Sequence, residues 1–275
     1  AAGNELLLSG PRANLFRAPI DNDRNYRKNW EKLDLTRLMT RVESFETARE
    51  GDSRLTVRVT ATHSPRIYAP LLRTIMTYTV FGSGDVRLNT VFEPLRDDLP
   101  YLPRVGLALE MPAEFDRVMW YGLGPQENYP DMQLSALLGQ YASLVDDLHE
   151  PYVRPQENGS RGGVRALSVT DILGAGLMIV GEETYEDKGF SFSAHPYTAE
   201  ALNKAEHTFE LKAEDKTVLS LDWRMGGIGS NSCGPLPLEK YCLSLKEPAS
   251  FTVVMRPYNR QCGELINFAR VLPEK

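Results

Sequence analysis

The sequence predicts an all-β chain built from antiparallel sheets, with one or two short helices. Apolar and polar residues alternate at period two in segment after segment, and those segments are rich in β-branched side chains. In addition, 21 glycines and 18 prolines punctuate them at short intervals. The length of 275 residues suits one large β domain, since such domains run to about 250 residues, or two domains of about 150. No Pro/Ser-rich linker or charge block splits the chain, so residues 1–275 are read as a single domain.

Taken in chain order, Leu55–Thr60 and Ile75–Val80 alternate cleanly and are read as strands. The second runs into Phe81-Gly82-Ser83-Gly84-Asp85, a hairpin turn signal, and Val86–Phe92 is the return strand. Further strands are expected at Val105–Glu110, Arg117–Tyr121, Val164–Thr170, Gly176–Gly181, Phe190–Ala194, Val218–Trp223, Tyr241–Leu245 and Phe251–Arg256. One helix is expected over Tyr197–Ala205, with Thr198 as N-cap and Glu200 in the first turn, and a second, short one after Asn29. The intervening stretches Gly10–Asp23, Trp120–Asp131, Pro151–Arg161 and Gly226–Pro237 are too polar and too rich in Gly and Pro for core. They are read as long loops, where binding groups usually sit on a β scaffold.

Charge and composition narrow the function. With 31 Lys+Arg against 37 Asp+Glu the formal net charge is −6, a surface sign that disfavours nucleic acid and anionic membrane as partners. Cys233, Cys242 and Cys262 form no CxxC and cannot complete a disulfide framework. The four histidines, His63, His149, His195 and His207, show neither HxH nor HExxH spacing, so no metal site is expected. No GxSxG elbow, Walker loop or GxGxxG is present, and the glycine clusters at 122–124 and 226–229 are read as turns.

What remains are loops that mix carboxylates, amides and aromatic rings. Sugar sites need that mix, because aromatic faces cover apolar C–H surfaces while planar polar groups bond hydroxyls. Glu127 and Glu157 are the tempting pair for a glycosidase, which needs two carboxylates at a set separation. The same side chains also serve as braces, bonding loop backbone amides in Asx-type turns. That structural role is the expected one for Trp120, Tyr121, Glu127, Asn128, Asp131, Glu157, Asn158, Arg161, Asp222 and Asn231.

Four blocks appear in an order that is highly specific. They are Phe16-Arg17-Ala18-Pro19-Ile20-Asp21-Asn22-Asp23, the twelve residues from Trp120 to Asp131 (WYGLGPQENYPD), Pro155-Gln156-Glu157-Asn158-Gly159, and the Gly-rich run from Gly227 to Pro235. Together they resemble the C-terminal domain of family-2 β-galactosidases, the portion that two-subunit members carry as a separate small chain, over essentially the whole length.

That resemblance implies a galactose-mutarotase-like β-supersandwich. It also implies that the catalytic glutamates lie on a preceding TIM-barrel domain, so no catalytic residue and no hydrolase activity is expected of this chain alone. The implied partners are that barrel or large subunit, a galactoside substrate, and further subunits of an oligomer. No cofactor is implied here, any Mg and Na of the parent enzyme lying on other domains.

The family's mobile flap maps to Gly10–Pro19, with Arg17 on its hinge side. The pocket or flap candidates are therefore Arg12, Asn14, Arg17, Asp21, Asn22, Asp23 and Val218. Val218 stands where some members carry a sugar-stacking tryptophan, so that platform is expected to be absent, and Met132 stands where an arginine is common. The chain is expected to be a fragment of a longer enzyme. Two other readings stay open: a carbohydrate-binding or assembly module centred on Trp120, Tyr121 or Trp223, and a free-standing aldose 1-epimerase using His149 or His207.

Overall fold

Fourteen strands form two antiparallel sheets in the computed structural model, which describes residues 5–183, 189–229, 235–271 and 273. The strands are β1 (Ser9–Asn14), β2 (Met39–Glu50), β3 (Arg54–Ser64), β4 (Leu72–Phe81), β5 (Val86–Pro94), β6 (Arg104–Pro112) and β7 (Arg117–Gly124). They continue with β8 (Leu137–Leu144), β9 (Arg161–Val164), β10 (Ala166–Thr170), β11 (Ala175–Glu183), β12 (Phe190–His195), β13 (Lys216–Met225) and β14 (Ala249–Asn259). One sheet has five strands in the order β1-β6-β13-β12-β9, and the other has nine in the order β2-β3-β4-β5-β14-β11-β10-β7-β8. The expected all-β class therefore holds.

The core lies between the sheets because each central strand alternates. Leu107 and Leu109 of β6 pair with Leu221 and Leu219 of β13 and point inward, together with Phe192 of β12. Leu88 and Phe92 of β5, Phe251 and Val253 of β14, and Ile179 of β11 face them from the larger sheet, in one continuous cluster. Residues between these positions on β13, Ser220 and Asp222, necessarily face the other way. A second, smaller cluster of Ala166, Met178, Tyr258 and Leu265 lies under α3 (Leu265–Ala269), a helix the sequence pattern did not announce. Arg256 holds its end by donating to the carbonyls of Phe268 and Val271, at 2.7 and 2.8 Å.

Two expected helices are present, with shifted bounds. One is α2 (Ala199–Lys204), where the Thr198 side chain accepts from the Ala201 N–H at 3.2 Å as an N-cap should. The other, α1 (Arg27–Lys32), starts before Asn29 and seats Trp30 in the core, its indole N–H on the Tyr101 carbonyl at 2.9 Å. Among the described residues no helix is long and apolar enough to cross a membrane.

Several expectations need correction. Tyr241–Leu245 is not a strand: Glu239–Tyr241 is a 3-10 turn, and Leu243 makes a single bridge to Leu102. Its leucines are apolar because they plug the core, not because they join a ladder. Val164–Thr170 divides at Arg165 into β9 and β10, which belong to different sheets, and Gly163 at φ 62° precedes the crossing. The stretch Gly10–Asn14, read as part of a loop, is strand β1, antiparallel to β6 with a bulge between Ser9 and Arg12. Its glycine, proline and polar residues misled because it is an edge strand with a bulge, where those residues are tolerated. The long Trp120–Asp131 loop begins only after Gly124, since Trp120–Gly124 completes β7.

Candidate functional site

Arg104 opens β6 and lies buried on the outward side of the five-stranded sheet, among partners from one strand and one loop. Its Nη1 donates to Ser220 Oγ at 3.1 Å, its Nη2 to Glu157 Oε1 at 3.3 Å, and its Nε lies 3.2 Å from Asp222 Oδ1. Ser220 and Asp222 come from β13, and Glu157 from the loop that crosses above it. Burial pushes the Asp222 carboxyl up to about 7, with Arg104 opposing and Glu157 adding to the shift. Burial also raises Glu157, against the pull of Arg104 and Arg17. Asn14 Nδ2 donates to the same Ser220 hydroxyl at 3.4 Å, so the end of β1 joins this cluster.

Arg17 forms a second buried ion pair. Its two terminal nitrogens donate to both oxygens of Asp23, at 2.7 and 3.1 Å, and Asp23 also accepts the Ile20 N–H at 2.8 Å. The Arg17 guanidinium lies 5.2 Å from the Trp30 ring centroid. The turn at Asp21–Asp23 is thereby clamped to α1. Arg12, by contrast, is exposed at the sheet edge, 3.3 Å from Glu110, and Asp21 is exposed on the outside of the turn.

A third set interlocks two of the four blocks. Glu127 Oε2 accepts the Gly159 N–H at 2.7 Å, and its other oxygen accepts the Tyr152 hydroxyl. Asn128 Oδ1 accepts the Gly162 N–H at 2.9 Å, and Asn158 Oδ1 accepts the Glu150 N–H at 2.9 Å. Arg161 donates to the carbonyls of Leu148, Gly159 and Pro125 at 3.0, 2.8 and 3.3 Å. His195 Nε2 lies 2.9 Å from the Asn158 carbonyl, which fixes the tautomer that carries its proton there. Burial pushes this imidazole down to about 4.

Asp131 then ties in the Gly-rich turn, accepting the N–H groups of Ile228 and Gly229, both at 2.9 Å. Asn22 Nδ2 donates to the Ile228 carbonyl at 3.0 Å. The turn at Asp21–Asp23, the loop through Asp131 and the start of the Gly-rich turn therefore meet. Asn231 and Cys233 lie outside the described residues.

Four sequence-based candidates remain. Trp120 is buried in the core with its N–H on the Leu123 carbonyl at 3.0 Å, and Tyr121 packs, half-buried, beside the smaller cluster under α3. Val218 is half-buried on β13, opposite Glu110 and His195. Trp223 is the extra residue of a bulge between Asp222 and Arg224, so strand alternation does not fix its face. It lines a cavity of ≈ 500 Å³ with Gln133, Leu138, Arg165, Arg224 and Tyr241.

Arg104 is the organising residue that sequence reasoning missed. The signal was present: an arginine heading the apolar run RVGLALEM needs partners if that run is buried. Glu127 and Glu157 are not a free carboxylate pair, since backbone, tyrosine and arginine donors hold both. Among the described residues, no three His, Cys, Asp or Glu side chains gather to hold a metal ion.

The comparisons with known proteins agree with the four blocks. A family model described as the β-galactosidase small chain matches residues 1–255. This chain belongs to the β-galactosidase small-chain family. A β-galactosidase of Vibrio cholerae is 36% identical over 240 residues, which is 83% of this chain and 22% of that protein. The Staphylococcus xylosus enzyme is 34% identical, over 84% of this chain and 22% of its own length. For Photobacterium profundum the values are 32%, 93% and 25%. The small chain therefore spans about a quarter or less of these curated relatives. A galactose 1-epimerase from Lactobacillus acidophilus overlaps 78% of this chain and 66% of its own, with 9% identity and a TM-score of 0.40, too loose a likeness to assign a shared site.

Proposed function

We propose that this chain is the non-catalytic small-chain domain of a longer retaining β-galactosidase of glycoside hydrolase family 2, packed on the catalytic barrel and completing one wall of the galactoside pocket. The observation that carries the reading is coverage: the match is to about a quarter or less of each relative, and to a family described as a small chain. The state of the buried carboxylates supports it. Asp23, Glu127, Glu157 and Asp222 all face arginine, backbone or hydroxyl donors inside the fold, which leaves none of them placed to supply the acid and nucleophile of glycoside hydrolysis.

The wall of the pocket is assigned to the junction of the Asp21–Asp23 turn, Asp131 and the start of the Gly-rich turn. Buried clamps hold that junction rigid, while Asp21 stays exposed and able to reach a hydroxyl. Of the Gly10–Pro19 segment, the mobile element is assigned to the β1 half alone, which is the edge of its sheet and is joined to one neighbour only, because Leu15, Phe16 and Arg17 that follow it are buried. The test is Asp21→Ala in the assembled enzyme. We expect KM for a β-galactoside to rise by about tenfold with the melting temperature unchanged, the loss of one hydrogen bond to a sugar hydroxyl. Unchanged KM and kcat would remove the pocket role while leaving the family assignment intact.

A further inference from the structure

The hairpin of β2 and β3 is amphipathic, yet among the described residues its apolar face stays exposed at Val42, Phe45 and Leu55. In register, Val42 lies beside Ala61 and Phe45 beside Val59, with Thr47 beside Val57 and Arg49 beside Leu55. These rows continue through Met76 and Tyr78 of β4 to Leu88 of β5, where the core begins. The face is thus the same one that is packed against the five-stranded sheet further along. The opposite face carries Glu46, Arg58, Thr56 and Thr77, an ordinary solvated surface.

The five-stranded sheet does not reach this far. Val42, Phe45, Leu55, Val57 and Val59 are all absent from the core cluster, and Phe45 is 66%, Val42 58% and Leu55 41% exposed. Contiguous exposure of this kind marks an interaction surface. The edge of the sheet is protected in the usual way: β2 bears Arg41, Glu43, Glu46, Arg49 and Glu50, and a bulge lies between Val42 and Ser44. Those devices block strand addition. The docking partner is therefore one that packs face-on, as a second layer, and not one that adds a strand.

We infer that the inner face of the β2–β3 hairpin is where the larger portion of the β-galactosidase seats an apolar face against this chain. The inference rests on the reading given under Proposed function. The occupant is identified by what surrounds the family: it is described as a small chain, and the relatives carry three quarters or more of their length outside the matched region. A second copy of this chain, laying its own hairpin face on the first, is the competing occupant.

Thiol labelling separates these cases. Phe45→Cys places a thiol on the apolar face, and Glu46→Cys places one on the solvated face of the same strand. Peptide mapping distinguishes both from Cys233, Cys242 and Cys262. Maleimide labelling rates are measured in the chain alone, at two concentrations, and in the assembled β-galactosidase, with assembly checked separately by co-elution. We expect the Phe45→Cys rate to fall by about tenfold or more on assembly while Glu46→Cys changes by less than about twofold. Equal labelling of Phe45→Cys in the two states, with co-elution intact, overturns the inference and leaves the proposed function standing. Concentration-dependent protection in the chain alone assigns the face to self-association and overturns it likewise. Failure to co-elute overturns the proposed function and this inference together.

Discussion

Arg17 and Asp23 are both out of solvent, so neither charge can be removed without stranding the other. Losing one member of a buried ion pair costs about 3–5 kcal/mol, whereas replacing both by apolar groups is often neutral. Asp23→Ala also frees the Ile20 N–H from its acceptor. We therefore expect urea unfolding of Asp23→Ala to show a loss of about 3–5 kcal/mol, and the Arg17→Met/Asp23→Leu double variant to recover most of it. A double variant as unstable as the single one would mean that the aspartate acts chiefly through the backbone.

Asp222 and His195 give stability opposite slopes with pH. The Asp222 carboxyl, raised by burial from 3.8 to about 7, keeps its proton in the folded state at pH values where the unfolded chain has released it. Its contribution therefore weakens as pH rises through that window. His195, lowered by burial from 6.5 to about 4, stays neutral when folded while the unfolded chain takes up a proton, so its contribution weakens as pH falls from 6.5 toward 4. The urea midpoint of Asp222→Asn should thus gain on the wild type as pH is raised from 5 to 8, and that of His195→Gln should gain as pH is lowered from 7 to 5. Differences that stay flat with pH would contradict the burial assigned to each group.

At the scale of elements, the close approach of β6 and β13 holds the site together. A Cβ on Gly106 would come within 2.4 Å of the Leu221 carbonyl and 2.6 Å of Asp222 Oδ1. Gly106→Ala must push the strands apart next to Arg104, and overpacking of this kind costs about 1–3 kcal/mol. Equilibrium unfolding checks the figure, and a loss well below it would mean that the bulge at Trp223 absorbs the strain.

The same scale shows what the sequence made legible. Strands with one apolar face, such as β3, β4 and β5, announced themselves by alternation because a single sheet face decides each of their residues. β1, β2 and β8 did not: two are sheet edges of mixed polarity, and β1 is a bulged edge whose Gly-Pro pair reads as a turn. Tyr241–Leu245 misled in the other direction, since buried leucines in a loop look like a strand. The site blocks were visible as motifs, and bonds from Glu127, Asn128 and Asp131 to backbone N–H groups join one block to the next. Arg104 escaped because its partners Glu157, Ser220 and Asp222 all lie far from it in sequence, and only the β6–β13 register and the loop above it bring them together.

At the scale of the whole molecule, the two sheets are unequal, and that inequality leaves both an uncovered apolar face on the β2–β3 hairpin and a clamped junction of loops beside the exposed Asp21. Both are expected of a domain that packs on a larger body and contributes part of a pocket, as the partial match to the β-galactosidases suggests. The most direct test is the release of chromophore from a chromogenic β-galactoside, measured for this chain alone and after mixing with the remaining portion of its β-galactosidase. The account predicts no release from the chain alone and release on mixing. Hydrolysis by the chain alone would contradict it and make Glu127 and Glu157 the first residues to mutate; silence on mixing would contradict the pocket-completing role.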